Sequence, residues 1–418
     1  GHVQLVGWAG LFIIGISLHF IPRLAGVPIS QPKRIDQVLW LIAVGLILRS
    51  IAHTLLPYLT ESVFFIPLNY LAAVSGLIEW FGIVLYLITI IQILEGVADL
   101  SNRPALQSVK PFFAMMLVGW FFYLTLNVIL LFQMTLSKIV VVNQAWNEFA
   151  LQLFTHLVLL PVAFAFSVRM FPLYFRLPAP DWSVRGLAYA YLISFSIQIL
   201  PMFPPILSLD SQAPLYISGL GKMLKGGVIL WFVWKLDILT RRRDPWTVHR
   251  KIHPGLDRRP TREGMPDYGE FGRFERLVYA AYIWLVFGAL VEIIVSASTL
   301  IGWTLPISSD ALRHTYLLGF ITHLILGMSV RMIPGFIKRK KIANAKLVDI
   351  TFWLGNGAAV CRVFPLILPA TLLEVIPGAI FVIQSFFAIS GILALSAVSC
   401  LAVNLIKTAK IKNGAMPQ

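Results

Sequence analysis

The sequence predicts an all-α, polytopic integral membrane protein, and three observations lead there. Of its 418 residues, 58% are hydrophobic and only 13% are charged, more apolar side chain than a soluble core of this length needs. The apolar residues fall in blocks of roughly twenty or more, the length a helix needs to cross ~30 Å of hydrocarbon with its backbone satisfied internally. None of the blocks has the short alternating pattern of barrel strands.

Along the chain about eleven blocks reach that length, approximately 3–26, 37–57, 64–96, 110–134, 144–175, 183–205, 213–239, 276–303, 311–336, 347–369 and 374–407. The longest imply tilt, kinks or projection beyond the bilayer. Alternate connections carry the basic residues: Arg23, Lys33 and Arg34; Arg103 and Lys110; Arg176 and Arg185; the 241–276 segment; Lys338 to Lys346; Lys407 to Lys412. The other side holds only Lys138 and Arg313. Cytoplasmic loops collect Lys and Arg, so the expectation is an inner (cytoplasmic) membrane protein whose first block enters from outside and whose C-terminus is cytoplasmic. The same bias accounts for a formal net charge of +15, and no nucleic-acid partner is required. The basic loop at 240–275, with His249 and His253 as surface residues, reads as a face for lipid headgroups or a neighbouring subunit.

Three blocks are versions of one helix: HVQLVGWAGLFIIGISLHFIPRL from His2, QLFTHLVLLPVAFAFSVRMFPLY from Gln152 and HTYLLGFITHLILGMSVRMIPGF from His314. Each closes on a shared signature ending at Pro22, Pro172 or Pro334, a period of roughly 150–160 residues or four helices. A second position recurs 26–28 residues after each proline, at Arg49, Gln198 and Arg362. These recurrences predict three pseudo-equivalent parallel four-helix units, approximately 1–109, 110–239 and 276–410, in a single membrane domain. The first unit lacks an opening helix, so a trimmed chain and an intended twelve helices are expected.

Some chemistries are excluded. Cys361 and Cys400 lie in different apolar blocks and alone build neither a disulfide framework nor a zinc site. The chain has no GxxxxGK loop, no GxGxxG after a strand and no GxSxG elbow, which argues against nucleotide and acyl chemistry.

The histidines are the candidate ligands. At ~1.5 Å per residue, His2 and His314, each 20 residues before its proline, share one outer level about 30 Å from the cytoplasmic face. His53 approaches that level from the neighbouring helix, while His156 and His323 lie deeper. A haem iron takes axial imidazoles from two facing helices at one depth, which favours His2 with His314, ahead of His323 and His156; each is otherwise a hydrogen-bonded core histidine. His19, in the slot of Arg169 and Arg331, reads as a helix-end or headgroup contact, and those arginines suit a helix C-terminus.

Arg49 and Arg362 lie well inside apolar blocks, where a charge needs a partner. They read equally as cofactor-propionate or anion partners and as structural ion pairs with Glu79, Glu148 or Glu292. Lys222, Lys225 and Glu79 could mark a proton or ion path. The tryptophans, among them Trp8, Trp80, Trp120, Trp146, Trp303 and Trp353, suit interfacial belts and helix packing.

His2, Gly7, Gly15 and Pro22, then His314, Gly319 and Arg331, and the stretch LWLIAVGLILRSI with Arg49 resemble motifs of the NnrS family, haem- and copper-associated membrane proteins linked to bacterial nitric oxide metabolism. The resemblance covers mainly three helices in the first and last thirds. It implies a b-type haem, with copper as a further metal; His53, from its outer level, is a further candidate ligand. The chain departs from the family's His-x-His-Glu-Met pattern, with Val3 at the Glu position. More distantly it is similar to subunit I of haem-copper oxidases, with HTYLLGFITHLILGM nominating His323. GLAYAYLISFSIQILPMF has no histidine, so a complete binuclear reducing centre is not expected. The reading is therefore a haem-binding protein in nitric oxide response, electron transfer or sensing, with other membrane or cytochrome subunits as partners. The alternatives are a secondary transporter or channel for a small solute, or a cofactor-free subunit of a larger respiratory complex. Parallel repeats mildly disfavour a transporter, in which inverted repeats are usual.

Overall fold

The structure is a computed structural model that describes residues 2–98, 102–207, 211–243, 262, 265–303, 305, 307–368 and 378–411. Gly1, Lys412 and most of the basic loop, with His249 and His253, lie outside the described residues.

All eleven apolar blocks are helices: α1 His2–Ala25, α2 Lys33–Tyr58, α3 Phe65–Glu95, α4 Pro104–Leu136, α5 Gln144–Phe175, α6 Val184–Ile199, α7 Ala213–Leu236, α8 Phe274–Leu300, α9 Ser309–Phe336, α10 Ala345–Ile367 and α11 Ala379–Lys410. Among the described residues there is no strand. Nine of these helices, all but α6 and α7, are long and apolar enough to cross a membrane. Helix α6 is short at 16 residues, and α7 carries Lys222, Lys225 and Lys235 in its 24.

Local chemistry sets the boundaries. Asn143, Ser183, Ser308 and Asn344 cap α5, α6, α9 and α10 by accepting from the backbone N–H of Trp146, Gly186, Asp310 and Lys346, which satisfies donors a helix start leaves open. Gly26 ends α1 at φ +67°, a left-handed conformation open to glycine at little cost. The signature prolines do not close their helices: Pro22, Pro172 and Pro334 lie inside the last turn, and the helices run on to Ala25, Phe175 and Phe336. The carbonyls of Pro22 and Pro334 instead accept the terminating bonds, from Val27 N at 3.1 Å and Arg339 N at 2.7 Å.

Each of α1, α5 and α9 contains one π-helical segment, at Leu5–Gly10, Phe154–Leu159 and Thr315–Thr322. The segments begin 17, 18 and 19 residues before Pro22, Pro172 and Pro334. Wider turns of this kind re-aim side chains and occur often at functional sites.

The chain forms two compact units, residues 1–165 with 183–221 and residues 166–182 with 222–418. In the first, α2 and α3 pack as a hairpin and α4 lies against α3, α5 and α6. Small residues set the spacing: a Cβ on Gly119 of α4 would stand 2.6 Å from Leu157 of α5, and one on Gly10 of α1 would stand 2.8 Å from the Trp120 ring. In the second unit α8 packs along α9, and α10 pairs with α11. Gly319 of α9 lies against the Trp284 ring of α8, 2.8 Å from where its Cβ would be. The outer faces are apolar and exposed, with Phe381, Ile392 and Leu395 on α11 and Trp40 and Ile47 on α2, as a lipid solvent requires.

Asp237, fully buried just past α7, gathers the end of that helix. It accepts from the Thr240 hydroxyl and from the backbone N–H of Arg242 and Arg243. Burial pushes the carboxyl up, but those bonds and the Arg242 charge outweigh it and hold the pKa below its ordinary value. A lowered folded value stabilises fully above the unfolded one, about 3.9, and the contribution is lost as pH falls through the folded value. The gap in unfolding temperature between wild type and Asp237→Asn should therefore be widest near neutrality and shrink below about pH 4, as thermal scans in detergent across pH would show.

Candidate functional site

In each unit a buried glutamate on a long helix meets groups from neighbouring helices. In the first unit it is Glu79 on α3, 1% exposed. The His2 Nε2 lies 2.5 Å from Glu79 Oε2, and His2 Nδ1 lies 2.7 Å from the Tyr123 hydroxyl of α4. Arg49 of α2 donates to Asn127 Oδ1 at 2.5 Å and stands 3.8 Å from Glu79 Oε1. One face of each helix makes this meeting possible: Gly45 and Arg49 are one turn apart on α2, as Tyr123 and Asn127 are on α4. Gly45 leaves room for the carboxylate, since its Cβ would stand 2.5 Å from Glu79 Cγ. His53, one turn beyond Arg49, lies within electrostatic reach of Arg49, His2 and Glu79, and its buried Nε2 has no hydrogen-bond partner among the described residues.

In the second unit the carboxylate is Glu292 on α8. Lys225 Nζ, with no solvent exposure, stands 2.9 Å from Glu292 Oε1, and the Tyr316 hydroxyl of α9 donates to Oε2 at 2.8 Å. Both carboxylate oxygens are thus engaged. Gly226 lets α7 approach Ile293 and the Ala289 carbonyl of α8, and Gly288 lets α8 approach Thr315 and Tyr316.

The candidate ligands are dispersed between these units. His2, His53 and His156 belong to the first, His314 and His323 to the second. Both ring nitrogens of His2 are engaged, by Tyr123 and Glu79. His156 is buried with its ring against Phe195, and its carbonyl accepts from the Tyr191 hydroxyl. His323 is fully buried; its Nδ1 lies 3.0 Å from the Leu318 carbonyl. Among the described residues its Nε2 has no partner, and it abuts α10, 3.0 Å from where a Gly355 Cβ would be. His314 differs: its Nδ1 meets the Asp310 carbonyl at 2.8 Å, and its Nε2 makes no hydrogen bond among the described residues.

Of the three carboxylates offered to Arg49, the partner is Glu79. Arg362 forms no ion pair among the described residues. It stacks over Phe387 at 5.3 Å and lies within electrostatic reach of His314. Arg331 is not a simple end cap, for its guanidinium stacks on Phe271 and Tyr174 at 4.2 and 4.6 Å. His19 packs edge-on against Phe20. Cys361 and Cys400 are free. Among the described residues no three His, Cys, Asp or Glu side chains gather as a metal site; haem ligation needs only two imidazoles. Tyr123, Asn127 and Tyr316 were not nominated by sequence, since hydroxyls and amides scattered on apolar helices carry no spacing signal.

Compared with known proteins, the chain matches no family model and no curated sequence.

Breaking a buried pair costs more than removing it, because one charge is left uncompensated. Arg49→Met should therefore destabilise the protein by about 3–5 kcal/mol. The double variant R49M/E79M should recover a large part of that loss, and thermal unfolding of the three proteins would measure it.

Proposed function

We propose that the chain is a b-type haem-binding membrane protein of NnrS-like kind, acting in nitric oxide response, electron transfer or sensing, with His314 as an anchored axial ligand. The observation that carries this reading is the 2.8 Å contact of His314 Nδ1 with the Asp310 carbonyl. A ligating imidazole commonly uses its other nitrogen in this way, which fixes tautomer and ring orientation and leaves Nε2 for the metal. Arg362, near that ring and without a carboxylate partner among the described residues, suits a propionate. His2 is the second ligand the repeat nominates, and Nε2 would have to leave Glu79, or Nδ1 leave Tyr123, for it to serve. His323 fits less well because its Nε2 abuts Gly355, and His156 because it is buried against Phe195. His53 offers an unengaged Nε2, and copper is the further metal of the same reading.

The three-unit architecture belongs to the proposal. The π-helical segment that each of α1, α5 and α9 carries 17 to 19 residues before its proline supports it. Basic residues at the ends of α7, α9 and α11 support a cytoplasmic C-terminus in the inner membrane. Helix α6 has no histidine, in keeping with a protein that lacks a complete binuclear centre. When bound, haem supplies one-electron exchange or a site for a small gas. The chain's own residues orient the ligand ring, balance the anionic edge through Arg362 and exclude water through the apolar faces of α8 and α9. Lipid and other membrane or cytochrome subunits are the partners of this reading.

Purified protein supplied with haem should show a Soret band with low-spin character that His314→Ala abolishes; Arg362→Ala should retain haem more weakly. No Soret band under full supply would overturn the reading. A second reading, a transporter or channel for a small solute, draws on the interior charges Arg49, Glu79, Lys225 and Glu292, and solute flux by cofactor-free protein in liposomes would favour it.

A further inference from the structure

The ion pair inside the second unit is unlike the other charge contacts there. Asp237 with Arg242 and Arg243, Arg262 with Asp267 and Glu275, and Arg276 with Asp349 all include a partly exposed partner. Lys225 and Glu292 are both essentially without solvent, at 0% and 4% side-chain exposure. Such a pair seldom contributes more than a well-packed apolar pair of the same volume. In a membrane chain, ionisable groups in such places mark proton or ion paths.

We propose that Lys225 and Glu292 form a proton-transfer site, with Tyr316 and Ser296 as its positioning and exchange groups. The two charged atoms are 2.9 Å apart, so one proton passes directly between them. The Nζ–H bond breaks and an Oε1–H bond forms, turning the ammonium–carboxylate pair into an amine and a carboxylic acid with no net change of charge. Low dielectric narrows the gap between those two states, because burial disfavours both charges at once. The neutral amine is recharged by a proton from water, and the acid releases one in turn.

The surroundings suit that exchange. Tyr316 donates to Oε2, which holds the carboxylate with Oε1 towards the lysine. Ser296 lies one turn beyond Glu292 on the same face of α8; its hydroxyl is buried and has no partner among the described residues. It is thus an unengaged group, able to donate and accept, at the next level of the helix. Lys222, three residues before Lys225 and half-buried, is the other charged group acting on the pair. Lys222 on α7 and Ser296 on α8 thus place an ionisable and a hydroxyl side chain one turn from the pair on each of its two helices. The site does not depend on the haem reading and works whether or not a cofactor is bound.

The test is the infrared difference spectrum of the full chain in liposomes, recorded between roughly pH 5 and pH 10, the span over which buried Lys and Glu titrate, in H2O and in D2O. The expected result is a protonated-carboxyl band that follows bulk pH, shifts in D2O, disappears in Glu292→Gln and survives in Glu79→Gln. Ser296→Ala should slow its deuterium exchange, and Lys225→Met should displace its midpoint. K225M/E292M, which removes both charges, checks that the fold tolerates loss of the pair. A band unchanged by Glu292→Gln, or a Glu292 signal that neither follows pH nor exchanges with D2O, overturns the proposal. Neither outcome depends on a Soret band, so it fails or stands apart from the haem reading.

Discussion

A charge inside a helix that faces hydrocarbon must bring its counter-charge with it, and this constraint organises the interior of both units. Arg49 and Glu79 lie on neighbouring helices, α2 and α3, and Lys225 and Glu292 do the same on α7 and α8. The helices cannot slide or rotate past one another without exposing an ion to an apolar surround, at several kcal/mol per ion. Each pair therefore fixes register as well as charge. The small residues beside them follow from the same need: Gly45 faces Glu79, Gly226 faces α8 and Gly288 faces Tyr316. Bulkier residues would hold the backbones too far apart for these contacts.

The two carboxylates are differently completed, and the difference bears on what they can do. Glu292 has a donor on each oxygen, from Lys225 and Tyr316. Glu79 has His2 on one oxygen, whereas its other oxygen has only the Arg49 charge at 3.8 Å and no hydrogen bond. The first is a closed three-helix knot whose internal proton can shift without rearrangement. The second has an incomplete shell, with the unpartnered His53 Nε2 nearby. An imidazole at such a place can trade one hydrogen bond for another at lower cost than one in a saturated network. That is why His2 remains a candidate ligand despite its present partners.

The helices and their order were legible in the sequence because the bilayer imposes one length and one backbone solution; all eleven blocks are helices within a few residues of their expected ends. The identity of the ion pairs was not legible. Arg49 had three carboxylates to choose from, and Glu292 was offered to arginines when its partner is Lys225. Hydropathy reports how deep a residue lies, not its azimuth around the helix axis, and pairing depends on azimuth. A Pro in the last turn removes a donor but leaves its own carbonyl to accept the closing bond, so α1 and α9 run past Pro22 and Pro334 to the ends that the apolar blocks gave.

The π-helical segments show what a periodic reading misses most. A repeated motif places His2 and His314 at equal distance from a proline, but an inserted residue between them and that proline rotates everything on its N-terminal side by about 100°. Helices α1, α5 and α9 each contain such a wide turn, so each departs from ideal 3.6-residue spacing. In α9 it has a chemical consequence. His314 stands before the wide turn and His323 after it; the first keeps Nε2 unengaged and the second turns Nε2 onto Gly355. Two histidines nine residues apart on one helix are thus given different environments by a single backbone feature, a difference that composition could not supply.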